Sequence, residues 1–266
     1  MRSPFAATDL PLRLATYAYQ DPQSSKIRVL IATEIGQTTK DPAEITIWYS
    51  LIDRDGKVTA SGVQHPTLTP VEGLNGPLLE YAGTFNVDPG TYTLKLAAVD
   101  GQGRRGSLEH PVQAWQMTGV PFAVGDLMLA DTPTTPGDLI HPPVEAHLAT
   151  GRLAAYLELY SDRPETFDAT QVKIEVAATD TGPVLASAQG RLEMAADPKS
   201  RIVATVVPVD ALPPGEYTAR AIVTRGDEKV GQLSRPFQIT AAAVVARVGT
   251  PGGSALVPTA LLASML

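Results

Sequence analysis

The chain of 266 residues contains no cysteine. Disulfide frameworks, thiolate metal sites and thiol nucleophiles are excluded together. It also lacks a basic face: Lys and Arg are dispersed, Arg104-Arg105 is the one adjacent pair, and the formal net charge is −7. Nucleic-acid binding of the usual electrostatic kind is therefore not expected. No apolar run reaches the roughly 18 residues that cross a bilayer as a helix. The opening Met1-Arg2-Ser3-Pro4 carries no signal-peptide core. Amphipathic helical periodicity is missing too, except for short stretches at Ala241 to Val248 and Thr259 to Leu266.

What is present is globular: 44% hydrophobic and 18% charged residues, with 23 prolines and 22 glycines scattered singly as turn markers. The length suits two domains better than one. The apolar stretch Ala255 to Leu266 stops abruptly and reads as the end of a piece cut from a longer polypeptide.

Self-comparison supplies the organising signal. Pro89-Gly90-Thr91-Tyr92-Thr93, then Gly101, Gly106, Leu108, Pro111 and Gln113, return at a constant shift of 125 residues. The second set is Pro214-Gly215-Glu216-Tyr217-Thr218, then Gly226, Gly231, Leu233, Pro236 and Gln238. Upstream, Gly56 to Ser61 aligns with Gly182 to Ser187 at a shift of 126, and Asp53 with Asp180 at 127. A period this long points to a duplicated domain, not a solenoid. The units are placed at 9–115 and 120–241, joined by the short linker Gln116 to Pro121, with an apolar tail at 242–266.

Within each unit the apolar residues alternate, as half-buried strands require. Val172, Ile174 and Val176 share one face; so do Ile45, Ile47, Tyr49 and Leu51, which leaves Thr46, Trp48 and Ser50 outward. Tyr92, Leu94, Leu96 and Ala98 repeat as Tyr217, Ala219, Ala221 and Val223, with Thr218 and Arg220 outward. Early strands fall at Leu10 to Tyr19, Ile27 to Ile35, Leu127 to Ala130 and Leu153 to Tyr160. A tyrosine just after a Pro-Gly corner matches the tyrosine corner of Greek-key sandwiches, and Tyr92 and Tyr217 are assigned that role. The expected fold is all-β: two tandem immunoglobulin-like or fibronectin-like β-sandwiches.

Several strings also resemble the β-rich modules of bacterial von Willebrand factor A-related proteins, notably those of Acidobacteria. They are Asp9-Leu10-Pro11-Leu12-Arg13-Leu14-Ala15-Thr16-Tyr17, the Pro89-Gly90-x-Tyr92 block running into Ala98-Val99-Asp100, Gly103-Arg104-Arg105-Gly106-Ser107, and Gly125-Asp126-Leu127-Met128-Leu129. The resemblance implies an exported or envelope-associated protein whose recognising domain lies elsewhere. The Asp-x-Ser-x-Ser metal motif of the A domain itself is absent, so no metal function carries over.

No constellation for catalysis emerges. The nearest string to a serine-hydrolase elbow, Gly252-Gly253-Ser254-Ala255, has the wrong spacing. His141 and His147 flank Pro142-Pro143, which rules out the helical pairing of a zinc site and leaves loop or strand-edge histidines. Asp53-Arg54-Asp55-Gly56 faintly resembles a calcium loop but equally suits a tight hairpin.

One feature is less bland. Trp48, aligned with Glu175, is expected to face outward, together with Leu30 and Tyr156 on the early strands. Such a face would suit a sugar ring or a partner protein; the plainer alternative is that Trp48 is covered. Trp115, at the junction, is expected to pack between the two units. The reading is a non-catalytic structural or protein-interaction module without cofactor or metal. The runner-up is a carbohydrate-binding module using the aromatic face, and the third is a hydrolase with dispersed residues.

Overall fold

The computed structural model describes residues 9–37, 39–73, 76–132 and 142–240. The expected tail at 242–266, its short helical stretches, the Gly252-Gly253-Ser254 string and His141 lie outside the described residues. The fold is all-β, and the boundary between two compact units falls between Gln116 and Met117. Among the described residues no helix is long and apolar enough to cross a membrane.

The first unit contains β1 (Leu12–Gln20), β2 (Ile27–Gly36), β3 (Ala43–Asp53), β4 (Val58–Gln64), β5 (Thr67–Leu68), β6 (Pro70–Gly73), β7 (Gly76–Val87), β8 (Gly90–Asp100) and β9 (Arg105–Ala114). One sheet runs β1-β2-β7-β6 and the other β4-β3-β8-β9, with β5 pairing the start of β3. Period-two burial supplies the core from both. Val29, Ile31 and Ile35 of β2 are buried, as are Ile45, Ile47 and Leu51 of β3 and Leu94, Leu96 and Ala98 of β8. Contacts bridge the two sheets: the Tyr49 and Phe85 rings stack at 6.3 Å, and the Tyr81 hydroxyl donates to Gln64 Oε1 at 2.9 Å. A stacked pair of this kind adds about 1 kcal/mol beyond its buried area. Burial, with the neighbouring Tyr49 phenol, raises the Tyr81 phenol above its ordinary range.

Turn chemistry fixes the hairpins. Asp53 Oδ1 accepts from the backbone N–H of Asp55 and of Lys57, and Gly56 takes a φ of 81°. Asp100 Oδ1 accepts in the same way from Gln102 and Arg104, and Gly103 takes a φ of 80°. Both are aspartate-anchored turns with glycine where a left-handed backbone is needed. The Asp53 carboxylate is thereby engaged by its own turn, which accounts for the calcium-like string.

The second unit contains β10 (Ala123–Val124), β11 (Met128–Asp131), β12 (Ala146–Leu148), β13 (Arg152–Tyr160), a 3-10 turn (Pro164–Ala169), β14 (Thr170–Ala177), β15 (Ala186–Met194), β16 (Ser200–Pro208), β17 (Gly215–Arg225) and β18 (Glu228–Ile239). The order is β10-β13-β16-β15-β14-β17-β18-β12, with β11 also on β13. One strand joins two halves: Ala186 to Gly190 of β15 pair with β14, and Arg191 to Met194 pair with β16. A Cβ on Gly190 would meet Val203 Cγ1 at 2.6 Å, so the pivot requires glycine. The halves share one core, with Leu153, Leu157, Val203 and Val207 against Val172, Ile174, Val223 and Phe237. The parallel pairing of β12 with β18 and the 3-10 turn were not visible in the sequence pattern.

Strand pairing also corrects the alignment of the two units. Trp48 lies opposite Ala97, and Lys173 lies opposite Ile222. The 125-residue shift therefore persists through β3 and β14, so the counterpart of Trp48 is Lys173 and not Glu175. The extra residue sits in the following turn, since Leu51 faces Ala60 and Val176 faces Ala186.

Candidate functional site

The first expectation to fail is the three-residue aromatic face. Leu30 is 5% exposed and Tyr156 1%, whereas Trp48 is 40% exposed. Leu30 and Trp48 also lie on different sheets of the first unit, and Tyr156 belongs to β13 of the second. The physical reason is that β13 is apolar at nearly every position, and β2 has Leu30 and Ala32 buried between its core residues, so both faces of these strands are covered there. Tyr156 is further occupied by hydrogen bonding. Its hydroxyl donates to Glu158 Oε1 at 2.5 Å, and the Tyr160 hydroxyl donates to Glu158 Oε2 at 2.6 Å. Buried carboxylates need such donors.

Trp48 remains, on the side of the β4-β3-β8-β9 sheet turned away from the core. Directly across from it stand Val63 of β4, 50% exposed, and Ala97 of β8. On one side the next row is Ser61, Ser50, Lys95 and Glu109, with Lys95 Nζ 2.7 Å from Glu109 Oε1. On the other side Thr46 Oγ1 and His65 Nδ1 form a 3.1 Å hydrogen bond. The result is a short apolar strip, Val63-Trp48-Ala97, flanked by polar residues among which Lys95 pairs with Glu109 and Thr46 with His65. An exposed indole beside an exposed valine is suited to contact with another surface.

The equivalent surface of the second unit is chemically different. Lys173 stands in the place of Trp48 and reaches Glu175 Oε1 at 3.1 Å. Glu175 Oε2 in turn accepts from Arg220 Nη2 at 3.1 Å, and Arg220 Nη1 donates to the carbonyls of Asp180 and Gly182. Arg220 was expected to lie outward; it does so in direction but is 8% exposed, held over the β14–β15 turn. The apolar strip of the first unit has no counterpart on this strand of the second.

The two corner tyrosines have matching geometry. Tyr92 donates its hydroxyl to the Asp88 carbonyl at 2.7 Å, and Tyr217 donates to the Pro213 carbonyl at 2.8 Å. Both are buried and both reach back four residues. Burial, reinforced by the Asp88 and Asp53 carboxylates, holds the Tyr92 phenol above its ordinary range. Trp115, the residue after β9, is 59% exposed.

Other polar clusters serve the scaffold. Asp131 accepts from the Thr132, Ala149 and Thr150 amides and from the Thr150 hydroxyl, tying down the segment before β13. His147 sits in β12, the last strand of its sheet. Among the described residues no group of three or more His, Asp or Glu side chains is arranged to hold a metal ion.

No family model matches this chain. No curated protein matches it either. Among solved structures, a Bordetella pertussis protein bearing the name ApaA is 20% identical over 43% of this chain and 100% of its own, with a TM-score of 0.29. The structural-genomics target SoR45 is 15% identical over 43% of this chain and 92% of its own, also at a TM-score of 0.29. Likenesses this slight carry no weight for fold or function.

Proposed function

We propose that the chain is a tandem pair of immunoglobulin-like β-sandwiches acting as a non-catalytic protein-interaction unit, with the Trp48 face of the first sandwich as its contact surface. Support for the fold reading comes from strand order. The sheets β1-β2-β7-β6 and β3-β8-β9 follow the ABED and CFG arrangement of such sandwiches, and β11-β13-β16 with β14-β17-β18 repeat it. The matched tyrosine corners at the head of β8 and β17 support it as well. A constant 125-residue register through the paired strands supports duplication.

The observation that carries the functional reading is the exposed pair Val63 and Trp48, with the half-buried Ala97 beside them, on the face of the sheet turned away from the core. Burial of Leu30 and Tyr156 removes the extended aromatic platform that a sugar-binding face would use, so a protein surface is the better fit for a single indole with aliphatic neighbours. The resemblance to modules of von Willebrand factor A-related proteins favours an exported or envelope setting. The test compares the wild-type chain with Trp48→Lys in binding to purified envelope proteins of the source cell and to a glycan array. Protein binding that Trp48→Lys removes is the expected result. Glycan binding that depends on Trp48, or protein binding indifferent to it, would overturn this reading.

A further inference from the structure

Two Asp-Gly bonds occur in the chain, Asp55-Gly56 after β3 and Asp100-Gly101 at the end of β8. In such a pair the amide nitrogen of the glycine can attack the side-chain carboxyl of the aspartate, because glycine has no Cβ to crowd the approach. The structure holds the two carboxyl groups differently. Asp100 is 8% exposed. Arg104 Nε donates to its Oδ2 at 2.6 Å, and the Gln102 and Arg104 amides donate to its Oδ1 at 3.0 and 2.9 Å. The guanidinium is itself held, since Arg104 Nη2 donates to Gln37 Oε1 at 3.0 Å. Any attack on Asp100 Cγ has to lift the carboxyl off all three donors. Against the pull of burial, those donors also hold its pKa below the ordinary 3.8, and an ionised carboxyl has no hydroxyl to lose as water.

Asp55 is the reverse case. It is exposed at the tip of the β3–β4 turn, and among the described residues no hydrogen bond or ion pair engages its carboxylate. Gly56 takes a φ of 81°, and no heavy atom lies within 4 Å of the position a Cβ would occupy, so there is room for a ring on that side. One main-chain bond stands in the way, from the Gly56 N–H to the Asp53 carbonyl at 3.1 Å. A single exposed turn bond opens far more readily than a buried three-donor cradle.

We infer that Asp55 is a site of spontaneous covalent modification, where the main chain isomerises to the β-linked isoaspartyl form, and that Asp100 is protected from the same reaction. The reaction is intramolecular, so its two groups are already neighbours. The Gly56 nitrogen attacks Asp55 Cγ; the N–Cγ bond forms, the Cγ–OH bond breaks, and the hydroxyl leaves with the amide proton as water. The cyclic imide then takes up one water. Cleavage between the Gly56 nitrogen and Cγ restores Asp55. Cleavage between that nitrogen and the main-chain carbonyl carbon leaves the chain running through Cβ and Cγ. The water lost is regained, and no oxidant or cofactor enters. The product lengthens the turn by one main-chain carbon, between the Asp53 carboxylate and the Lys57 amide that it anchors, and leaves the net charge unchanged. This inference rests on the turn and does not depend on the Trp48 face having a partner.

The test ages the full chain at mildly acidic pH, both folded and unfolded in urea. Peptide mapping by electron-transfer mass spectrometry distinguishes the two linkages at each aspartate. Asn75-Gly76, outside the described residues, is scored separately by its gain in mass. In the folded chain, conversion at Asp55 is expected to exceed that at Asp100 by at least about tenfold, the factor that loss of one charge-assisted hydrogen bond sets. In urea the two should convert at similar rates, because the turn and the cradle are gone. Asp55→Glu is expected to abolish the signal at position 55, since closure then requires a larger ring. Equal conversion at Asp55 and Asp100 in the folded chain overturns the inference; so does an Asp55 that converts in urea and stays intact in the folded chain.

Discussion

Trp48 and Val63 stand directly opposite one another on β3 and β4, both on the face turned away from the core and both substantially exposed. A cross-strand apolar pair of this kind adds little to folding when it is left in water, because little of its area is removed from solvent. Trp48→Lys is therefore expected to shift the urea unfolding free energy by no more than about 0.5 kcal/mol. Loss of several times that amount in chemical denaturation would show that the indole is part of the packed structure.

The corner tyrosines should behave as a matched pair. Tyr92→Phe and Tyr217→Phe each remove one hydroxyl-to-carbonyl hydrogen bond and keep the buried ring. Each should cost about 1 kcal/mol, since the carbonyl loses a partner. The two share no hydrogen-bond partner and lie in separate compact units, so their effects on the unfolding of their own units should be independent. Differential scanning calorimetry of the single and double variants checks both the size and the independence.

Asp100 gives a pH dependence with a defined sign. Burial on its own would raise this carboxyl. The Arg104 guanidinium at 2.6 Å and the Arg104 and Gln102 amides donate to the carboxylate and hold its pKa below the ordinary 3.8. A carboxylate with a depressed folded pKa contributes stability that is complete above the unfolded value and is lost as pH falls through the folded one. Acid unfolding of the wild type should therefore include a loss below pH 3.8 that Asp100→Asn lacks, and the variant should be the less stable protein at pH 7. Equal acid titrations of stability for the two would contradict the assigned role.

Thr33 is an opportunity for stabilisation. It is 2% exposed on the core side of β2, and its hydroxyl has no hydrogen-bond partner among the described residues. Thr33→Val keeps the shape and β-branching and removes a buried, unsatisfied polar atom. A gain of about 1 kcal/mol in urea unfolding is expected. A loss of similar size would mean that the hydroxyl is satisfied in solution.

The parts of this fold that were readable in the sequence are those where one local rule decides. Tyr92 to Ala98 and Tyr217 to Val223 alternate cleanly, follow a Pro-Gly corner and repeat at a fixed shift, and the structure places all eight side chains on the core face. Leu30 and Tyr156 were misplaced because β2 and β13 have apolar residues at both parities. Alternation then no longer says which face meets solvent, and burial of the second face depends on packing that no single strand encodes. Trp48 was matched to Glu175 because the Asp53 and Asp180 turns look alike; hydrogen-bond pairing, not turn similarity, fixes the register, and it selects Lys173. Arg220 shows a further limit, since an outward direction does not mean an exposed guanidinium when carbonyls and a carboxylate are positioned to receive it.

The contact-face reading is decided most directly by a photo-cross-linking amino acid placed at Trp48 of the full chain in its native cell, with the same group at Lys173 as the control on the equivalent strand position of the second unit. A discrete protein adduct from position 48 and none from position 173 is the expected pattern. Adducts that are equal from the two positions, or that contain glycan and no protein, would contradict it.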